Sequence, residues 1–551
     1  MKVEEETFRN MANPELAQLY RRKGWWGDVT VADLVDRWAD EKPDGDAIVT
    51  LTDRMSWRGY RDASNWLAQC LVAAGIDPGE KVAVFLPDGA SVHVAFLANE
   101  KAGAITVGIG ARSGHEEIRH LLRRTGAVAI ITLSEHRQED MTCLVDTLRS
   151  EGIAVRKHIV VPIFEAGLDS PIVIDGIKFP YETVDGAQFL DRHLGPDDLF
   201  MINSTSGTTG LPKCVMHTQN SKLYMAHQAC EAGQLRGDEV LLGLAPVPFG
   251  FGLFTTHFVT ALLGAATVVL ERFSADSAIE VIEREKVTVL VCVSTQFKMM
   301  LNSPEILERG VSSLRVMFTG GEMIPYDAAR NFEKVTGSIV LNFYGSNESG
   351  FATGTRVTDS PEHRLRTGGS KLAGTDVRLF DEGLDVTDLG RGQPGSRGPS
   401  LCLGYYDDPE ANAQLFTPDG YLLHADIVTL DDEGFLTVVG RKSEIIIRGG
   451  KNISAAVVED LVSTHPAVAL AAAVPMPDPV FGEKVCVFVE LRPGTTVDLA
   501  GLLEFLSTSD ASKENYPERL VVLDELPRSS GGKVAKGVLT SEAAKLAAVN
   551  T

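Results

Sequence analysis

Short apolar runs rich in β-branched residues alternate along this chain with amphipathic helical patterns, and that alternation constrains the fold more than any other feature. VAVFLP at 82–87 precedes SVHVAFLANEKAG at 91–103, EEIRHLLRRTG at 116–126 precedes VAIIT at 128–132, and AIEVIEREK at 278–286 precedes VTVLVCV at 287–293. Strands that are apolar on both faces and separated by helices pack as largely parallel sheets covered by helices. The expected class is therefore α/β, with a large N-terminal domain. A polar, Gly-rich stretch at 381–398 marks a change of character, and short alternating strands such as FLTVV at 435–439 follow it. This region is expected to form a small barrel-like subdomain. From Arg441 the pattern reads as a small α/β unit, so the main boundary is placed at Gly440 to Ser443, dividing 1–440 from 441–551.

Charge narrows the function. The 52 Lys and Arg face 75 Asp and Glu, a net charge of −23. That sign argues against a nucleic-acid partner or an anionic membrane surface, but not against a small anion held by a local donor cluster. A chain of 551 residues buries several cores without disulfides. Its Cys residues, at 70, 143, 214, 230, 292, 402 and 486, form no C-x-x-C pair, which fits a reducing, cytoplasmic location. The start, MKVEEETFRN, has no apolar secretory core. The uncharged stretch from Phe251 to Leu270 contains Gly252, His257 and Gly264, and is expected to be a helix, a turn and a buried strand rather than a membrane span.

The strongest local signal runs Thr205-Ser206-Gly207-Thr208-Thr209-Gly210-Leu211-Pro212-Lys213 after the apolar run LFMI. Small residues let backbone N–H groups approach an anion, hydroxyls add donors, and Lys213 adds charge. A strand-to-loop phosphate cradle is predicted. It is not a Walker A loop, since no G-x-x-x-x-G-K-[ST] occurs. Gly390-Arg391-Gly392-Gln393-Pro394-Gly395 is expected to be a turn. Trp25 and Trp26 are expected to be packing anchors. Neither a nucleophile elbow nor an H-E-x-x-H pair is present. Tyr344-Gly345-Ser346-Asn347-Glu348 follows the run SIVLNF, and a carboxylate at a strand mouth can hold Mg²⁺ with phosphate oxygens. Pro527-Arg528-Ser529-Ser530-Gly531-Gly532-Lys533 places a Lys on a Gly/Ser loop.

In this order and spacing, these segments resemble the adenylate-forming superfamily, which includes acyl- and aryl-CoA ligases, carrier-loading adenylation domains and firefly luciferase. The resemblance extends from about Tyr20 to about Lys536. Tyr20-Arg21-Arg22-Lys23-Gly24-Trp25-Trp26 is similar to the opening of the aryl-acid-activating branch, Pro248-Phe249-Gly250-Phe251-Gly252 to the acyl-pocket segment, and Thr319-Gly320-Gly321-Glu322 to the adenine-side loop. The resemblance implies that a carboxylic acid attacks the α-phosphate of ATP to give acyl-AMP, and that a thiol then takes the acyl group. The loop at 205–213 would hold phosphates, with Asn347 near them. Glu348 would hold Mg²⁺, and Lys533 would meet the carboxylate and α-phosphate. Asn342, Tyr344, Gly345, Gly321 and Glu322 would border the adenine, and Asp426 and Arg441 the ribose. Ser443 would be the hinge of a small, mobile C-terminal α+β domain, and Gly449 and Gly450 would line the tunnel for coenzyme A or a carrier protein's phosphopantetheine.

The same resemblance assigns the acyl pocket to His217, Phe249, Gly250, Phe251, Gly320, Gly321, Gly345 and Gly350. Many of these are Gly and none carries a full charge, which implies a bulky apolar acid, whether aromatic, alicyclic or polycyclic. Several positions depart from the family pattern: Cys214, Gln219, Asn347, Ala425, Ser443 and Ala455. Asn347 replaces a Thr, and its amide is expected to donate to a phosphate oxygen. The equipment for adenylation looks complete; the thiol step is less constrained. A stand-alone adenylating enzyme serving a carrier protein or partner acyltransferase, or a non-catalytic binder of this fold, are the competing readings.

Overall fold

The computed structural model describes residues 14–205, 212–321, 324–441, 445–449, 451–508, 512–528 and 534–549. They fall into two compact units, one running to Val377 and including Ser396–Leu422, the other holding Arg378–Gly395 and Leu423 onward. The expected boundary at 440–443 lies within the second unit.

The first unit is built on two nine-stranded sheets. In one, β1 (Lys81–Phe85), β2 (Ile105–Ile109) and β3 (Leu199–Ser204) run parallel, and β4 (Cys214–Thr218) returns antiparallel to β3. In the other, β5 (Val316–Gly320) and β6 (Ile339–Ser346) are parallel, and β7 (Gly350–Gly354) folds back antiparallel on β6. The strands predicted from 82–87, 128–132 and 287–293 are all present. Burial explains why they read as unbroken apolar runs: Val82, Ala83 and Val84 are each at most 1% exposed, as a helix-covered parallel sheet requires. The helix α1 (Ala90–Ala102) is buried on every side, so it shows no polar stripe. Trp26 packs edge-on to Tyr20, its ring centre 5.1 Å away, and donates its indole N–H to the Pro399 carbonyl at 3.1 Å, as a packing anchor.

Residues 250–270 form the expected helix, turn and strand. Helical turns run from Gly250 to Leu263, Gly264 caps them in the left-handed region at φ +63°, and Ala266–Val269 is a strand. The middle turn, Phe254–Val259, is π-helical, a form found mostly as single insertions in α-helices. It carries His257, buried against His93 of α1 with the ring centres 5.5 Å apart. Burial pulls the His93 imidazole down to about 4, and burial with the neighbouring ring holds His257 well below the usual histidine range.

The pair therefore stays neutral when folded, whereas in the unfolded chain each ring takes up a proton as pH falls through about 6.5. The unfolded state then binds more protons, so this contribution is full above about pH 6.5 and declines toward pH 4, by about 1.4 kcal/mol per pH unit per group. Asp88, which burial raises to about 7, acts in the opposite direction. The discriminating measurement is therefore a difference: the melting-temperature gap between the native protein and His93→Phe should move in favour of the variant as pH falls from about 7.5 to about 5. A gap that does not change with pH would refute the neutral pair.

The second unit holds an antiparallel sheet in which Leu384–Asp385, Asp376–Asp381, Arg391–Arg397, Asp426–Leu430 and Leu436–Arg441 lie in that order. This is where the small barrel-like subdomain was expected. The predicted turn at 390–395 is instead largely the strand Arg391–Arg397. Proline removes only one donor from a strand, and the Pro394 carbonyl still accepts from His424 N–H at 2.9 Å. Beyond it, Lys451–Ser454, Ile445–Arg448, Gly482–Leu491 and Val468–Asp478 form a second antiparallel sheet, with Arg519–Val522 added in parallel and the helices Ala455–Ser463, Leu499–Leu506 and Lys536–Val549. The class is thus mixed α/β, with a large parallel-sheet domain and a smaller C-terminal one. No described helix is long and apolar enough to cross a membrane.

Candidate active site

The phosphate-loop motif is placed by a hairpin. β3 and β4 pair to their last rung, Ser204 opposite Cys214, and Thr205 N–H donates to the Lys213 carbonyl at 3.1 Å. That bond closes the ends of a loop whose Ser206, Gly207, Thr208, Thr209, Gly210 and Leu211 lie outside the described residues. Lys213 is exposed, its ammonium 4.7 Å from the centre of the Tyr405 ring.

Glu348 sits in the turn between β6 and β7, and that turn is pinned from both sides. Ser346 N–H donates to Ser349 Oγ at 2.9 Å and Ser349 N–H to Ser346 Oγ at 3.1 Å. From across the turn, Cys402 N–H donates to the Glu348 carbonyl at 2.7 Å and the Ser400 hydroxyl to the Ser349 carbonyl at 2.8 Å. The Tyr405 hydroxyl donates to Glu348 Oε1 at 2.8 Å. Burial and the adjacent carboxylate push that phenol far above its ordinary range, so it remains a donor. Lys213, Tyr405 and Glu348 thus form one row of cation, ring and carboxylate. A single carboxylate does not make a metal site by itself, and no described group of three or more His, Cys, Asp and Glu could hold an ion. It does suit Mg²⁺ that arrives on phosphate oxygens.

Asn203, at the penultimate position of β3, links three segments that lie far apart in sequence. Its Nδ2 donates to the Pro248 carbonyl at 3.0 Å and to Asn347 Oδ1 at 3.2 Å. Its Oδ1 accepts from Asn347 Nδ2 at 2.7 Å and lies 2.8 Å from His217 Nε2. Asn347, expected to donate to a phosphate oxygen, gives one of the two hydrogens of its NH₂ to Asn203. His217 is fully buried and held neutral by burial, with its Nε2 on Asn203 Oδ1. Neither Asn203 nor Tyr405 was anticipated. The available signals were a lone amide in an apolar strand and the pair Tyr405-Tyr406.

Of the residues expected on the acid side, three lie in one segment. Phe249, Gly250 and Phe251 are half-buried, and Phe251 joins an aromatic group with Phe254 and Phe351. The glycines have a different cause from the one inferred. A Cβ on Gly320 would lie 2.5 Å from the Phe343 carbonyl oxygen, on Gly345 1.8 Å from that of Gly350, and on Gly350 2.8 Å from Met225 Sδ. Their missing side chains are filled by close neighbours, so they do not translate into open pocket volume.

On the adenine side, Asn342 donates Nδ2 to the Thr367 carbonyl at 2.8 Å, Tyr344 is buried, and Gly321 turns at φ +79°. Glu322 lies outside the described residues, as do Ser443, Gly450 and Lys533. In the second unit, Asp426 and Arg441 are cross-strand partners, which places the two expected ribose residues at one position of the ladder. Gly449 takes a left-handed turn at φ +57° and donates its N–H to the Phe481 carbonyl at 2.8 Å.

The first unit also holds two thiols near β4 and the Glu348 turn. Cys214 and Cys402 are buried, and burial pushes each up to about 12.

Together with this architecture, comparison with known proteins defines an acid-activating, AMP-forming class. The AMP-binding enzyme profile matches residues 35–406, and the AMP-binding enzyme C-terminal domain profile matches 457–533. The medium-chain fatty-acid–CoA ligase of Escherichia coli (strain K12) is 30% identical over 539 residues, covering 96% of this chain and 93% of that protein. The 2-hydroxy-7-methoxy-5-methyl-1-naphthoate–CoA ligase of Streptomyces carzinostaticus is 30% identical, covering 97% and 96%. The crystal structure of an anthranilate CoA ligase with anthranoyl-AMP superposes with a TM-score of 0.82 at 22% identity, covering 95% and 98%. The chain belongs to the AMP-binding enzyme family and is an AMP-forming acid–thiol ligase.

Proposed function

We propose that this chain activates a bulky apolar carboxylic acid, aromatic, alicyclic or polycyclic, to its acyl-AMP and transfers the acyl group to coenzyme A. The observation that carries the proposal is the Asn203 cluster, which ties the β3 end of the phosphate loop to Pro248 of the acid segment and Asn347 of the Glu348 turn. Acid and nucleotide subsites that share one buried carboxamide are fixed relative to each other, and catalysis of this kind depends on positioning and charge neutralisation. Phe249 and Phe251 supply apolar walls, and a relative carries a naphthoate in its name. Mg²⁺ bound with ATP would supply charge neutralisation at the phosphates. Glu348 is the residue that would hold it, oriented by Tyr405. Lys213 and Lys533 would meet developing negative charge, and Asp426 with Arg441 would hold the ribose. The division at 440/441 stands as the proposed hinge, with Ser443 at its centre.

The test is acyl-AMP formation, followed by mass, with ATP, Mg²⁺ and an acid series from acetate to polycyclic acids, then thioester formation on adding coenzyme A alone. A bulky apolar acid should exceed acetate by at least about 100-fold in kcat/KM. A preference for acetate refutes the acid class. Thioester formed only on a carrier protein refutes coenzyme A as the acceptor.

A further inference from the structure

The helix α2 (Gln219–Gly233) that follows β4 buries a lysine at the end of its first turn. Lys222 is 1% exposed. Its polar neighbours all make conventional bonds: Gln219 Oε1 accepts from Val31 N–H at 2.8 Å, Asn220 Nδ2 donates to Asp197 Oδ1 at 2.6 Å, and the Ser221 hydroxyl donates to the Thr218 carbonyl at 2.8 Å. Lys222 differs. Its partner among the described residues is the thioether of Met225, 3.9 Å from the ammonium, and a thioether is a weak acceptor. A buried ammonium without an oxygen partner is an expensive arrangement. Met or Leu would fill the same space without that cost.

The surroundings indicate what the cation faces. Met225 Sδ packs against Gly350, at the start of β7 and two residues beyond Glu348. The charge of Lys222 is felt by His217 of β4, and Lys222 in turn feels Cys402 and Glu348. The ammonium therefore lies where α2 meets the Glu348 turn, beside residues assigned to the acid pocket.

We propose that Lys222 is a specificity-determining residue of the acid pocket, and that the acid it selects carries on its apolar body a second acceptor oxygen, phenolic, keto or carboxylate, which takes a hydrogen bond from the Lys222 ammonium. This rests on the reading above that Gly350 and its neighbours border the acid. A cation here also repels an amino acid's ammonium and favours an anionic or strongly polar oxygen. A site built to hydrogen-bond a substrate oxygen rejects the analogue lacking it far more strongly than an apolar pocket rejects one methylene.

The experiment measures kcat/KM for pyrophosphate release with matched pairs of aromatic and bicyclic acids that differ only by one hydroxyl, keto or carboxylate oxygen. For the best pair, the native enzyme should favour the oxygenated member by at least about 10-fold. Lys222→Met should bring that ratio close to one, and Lys222→Arg should keep most of it. A lysine that served only to balance Glu348 would slow both members alike and leave the ratio unchanged.

A second arm needs no variant. Burial pulls Lys222 down to about 8, so the ratio in the native enzyme should fall between about pH 7 and about pH 9.5 as the ammonium loses its proton. Of the groups facing Lys222, His217 stays neutral throughout and Cys402 at about 12 stays protonated; Glu348 is the remaining neighbour. A ratio near one for every pair, a ratio unchanged in Lys222→Met, or a ratio independent of pH would overturn the inference. Adenylation of no acid at all would overturn the proposed function with it, whereas adenylation with no oxygen preference overturns the inference alone.

Discussion

Replacing Glu348 with Gln should lower acyl-AMP formation by about 100- to 1,000-fold, the range seen when one preorganised electrostatic group is removed from an active site. Glutamine keeps the shape and can still accept from the Tyr405 hydroxyl, so the variant removes charge and little else. Tyr405→Phe removes only the orienting bond and should cost about 3- to 10-fold, in line with one hydrogen bond of about 1 kcal/mol. The ordering of the two is the informative result. If Glu348→Gln stayed within about 3-fold of the native enzyme, the carboxylate would not be the metal-side group. If Tyr405→Phe lost more than Glu348→Gln, the phenol itself would carry the chemistry. Pyrophosphate release under saturating acid, across a range of Mg²⁺, measures both.

Gly345→Ala should be the most disruptive small substitution in the site. The added methyl would lie 1.8 Å from the Gly350 carbonyl oxygen and 3.2 Å from the Phe351 Cα, and backbone on both sides cannot move without opening the β6–β7 hairpin. Register already shifts between Tyr344 and Gly345, so the hairpin is irregular at this point. A loss of about 2–4 kcal/mol is expected, with adenylation falling at the same time because Glu348 and Asn347 ride on the same turn. Gly27→Ala is the control, since a Cβ there meets nothing within 4 Å. Equal melting temperatures for the two variants would show that the hairpin absorbs the methyl and that the close approach has no energetic weight.

Much of the first unit was legible because its determinants are local. Apolar runs such as 128–132 and 287–293 declare buried strands by composition alone. What was not legible depends on contacts made across the chain. Asn203 looks unremarkable beside Met201 and Ile202, and its role appears only when Pro248, His217 and Asn347 converge on it. Lys222 falls in a helix buried on most sides, where a polar stripe cannot mark the exposed face. The glycines misled for a related reason: a missing side chain looks the same in sequence whether the space is open or filled by a neighbouring carbonyl. At 390–395, glycine and proline suggested a turn, but the partner strand Asp426–Leu430 supplies the ladder that keeps the segment extended.

Burial of Cys214 and Cys402 bears on the fate of the product. Acyl-AMP is a potent acylating agent, and an enzyme that makes it beside its own thiols risks modifying itself. Only a thiolate competes effectively for the acyl group. With each thiol pushed up to about 12, the thiolate fraction near neutral pH is on the order of 1 in 100,000, against several in 100 for an exposed cysteine. The burial that holds Cys214 and Cys402 protonated therefore also keeps these two thiols unreactive toward a mixed anhydride.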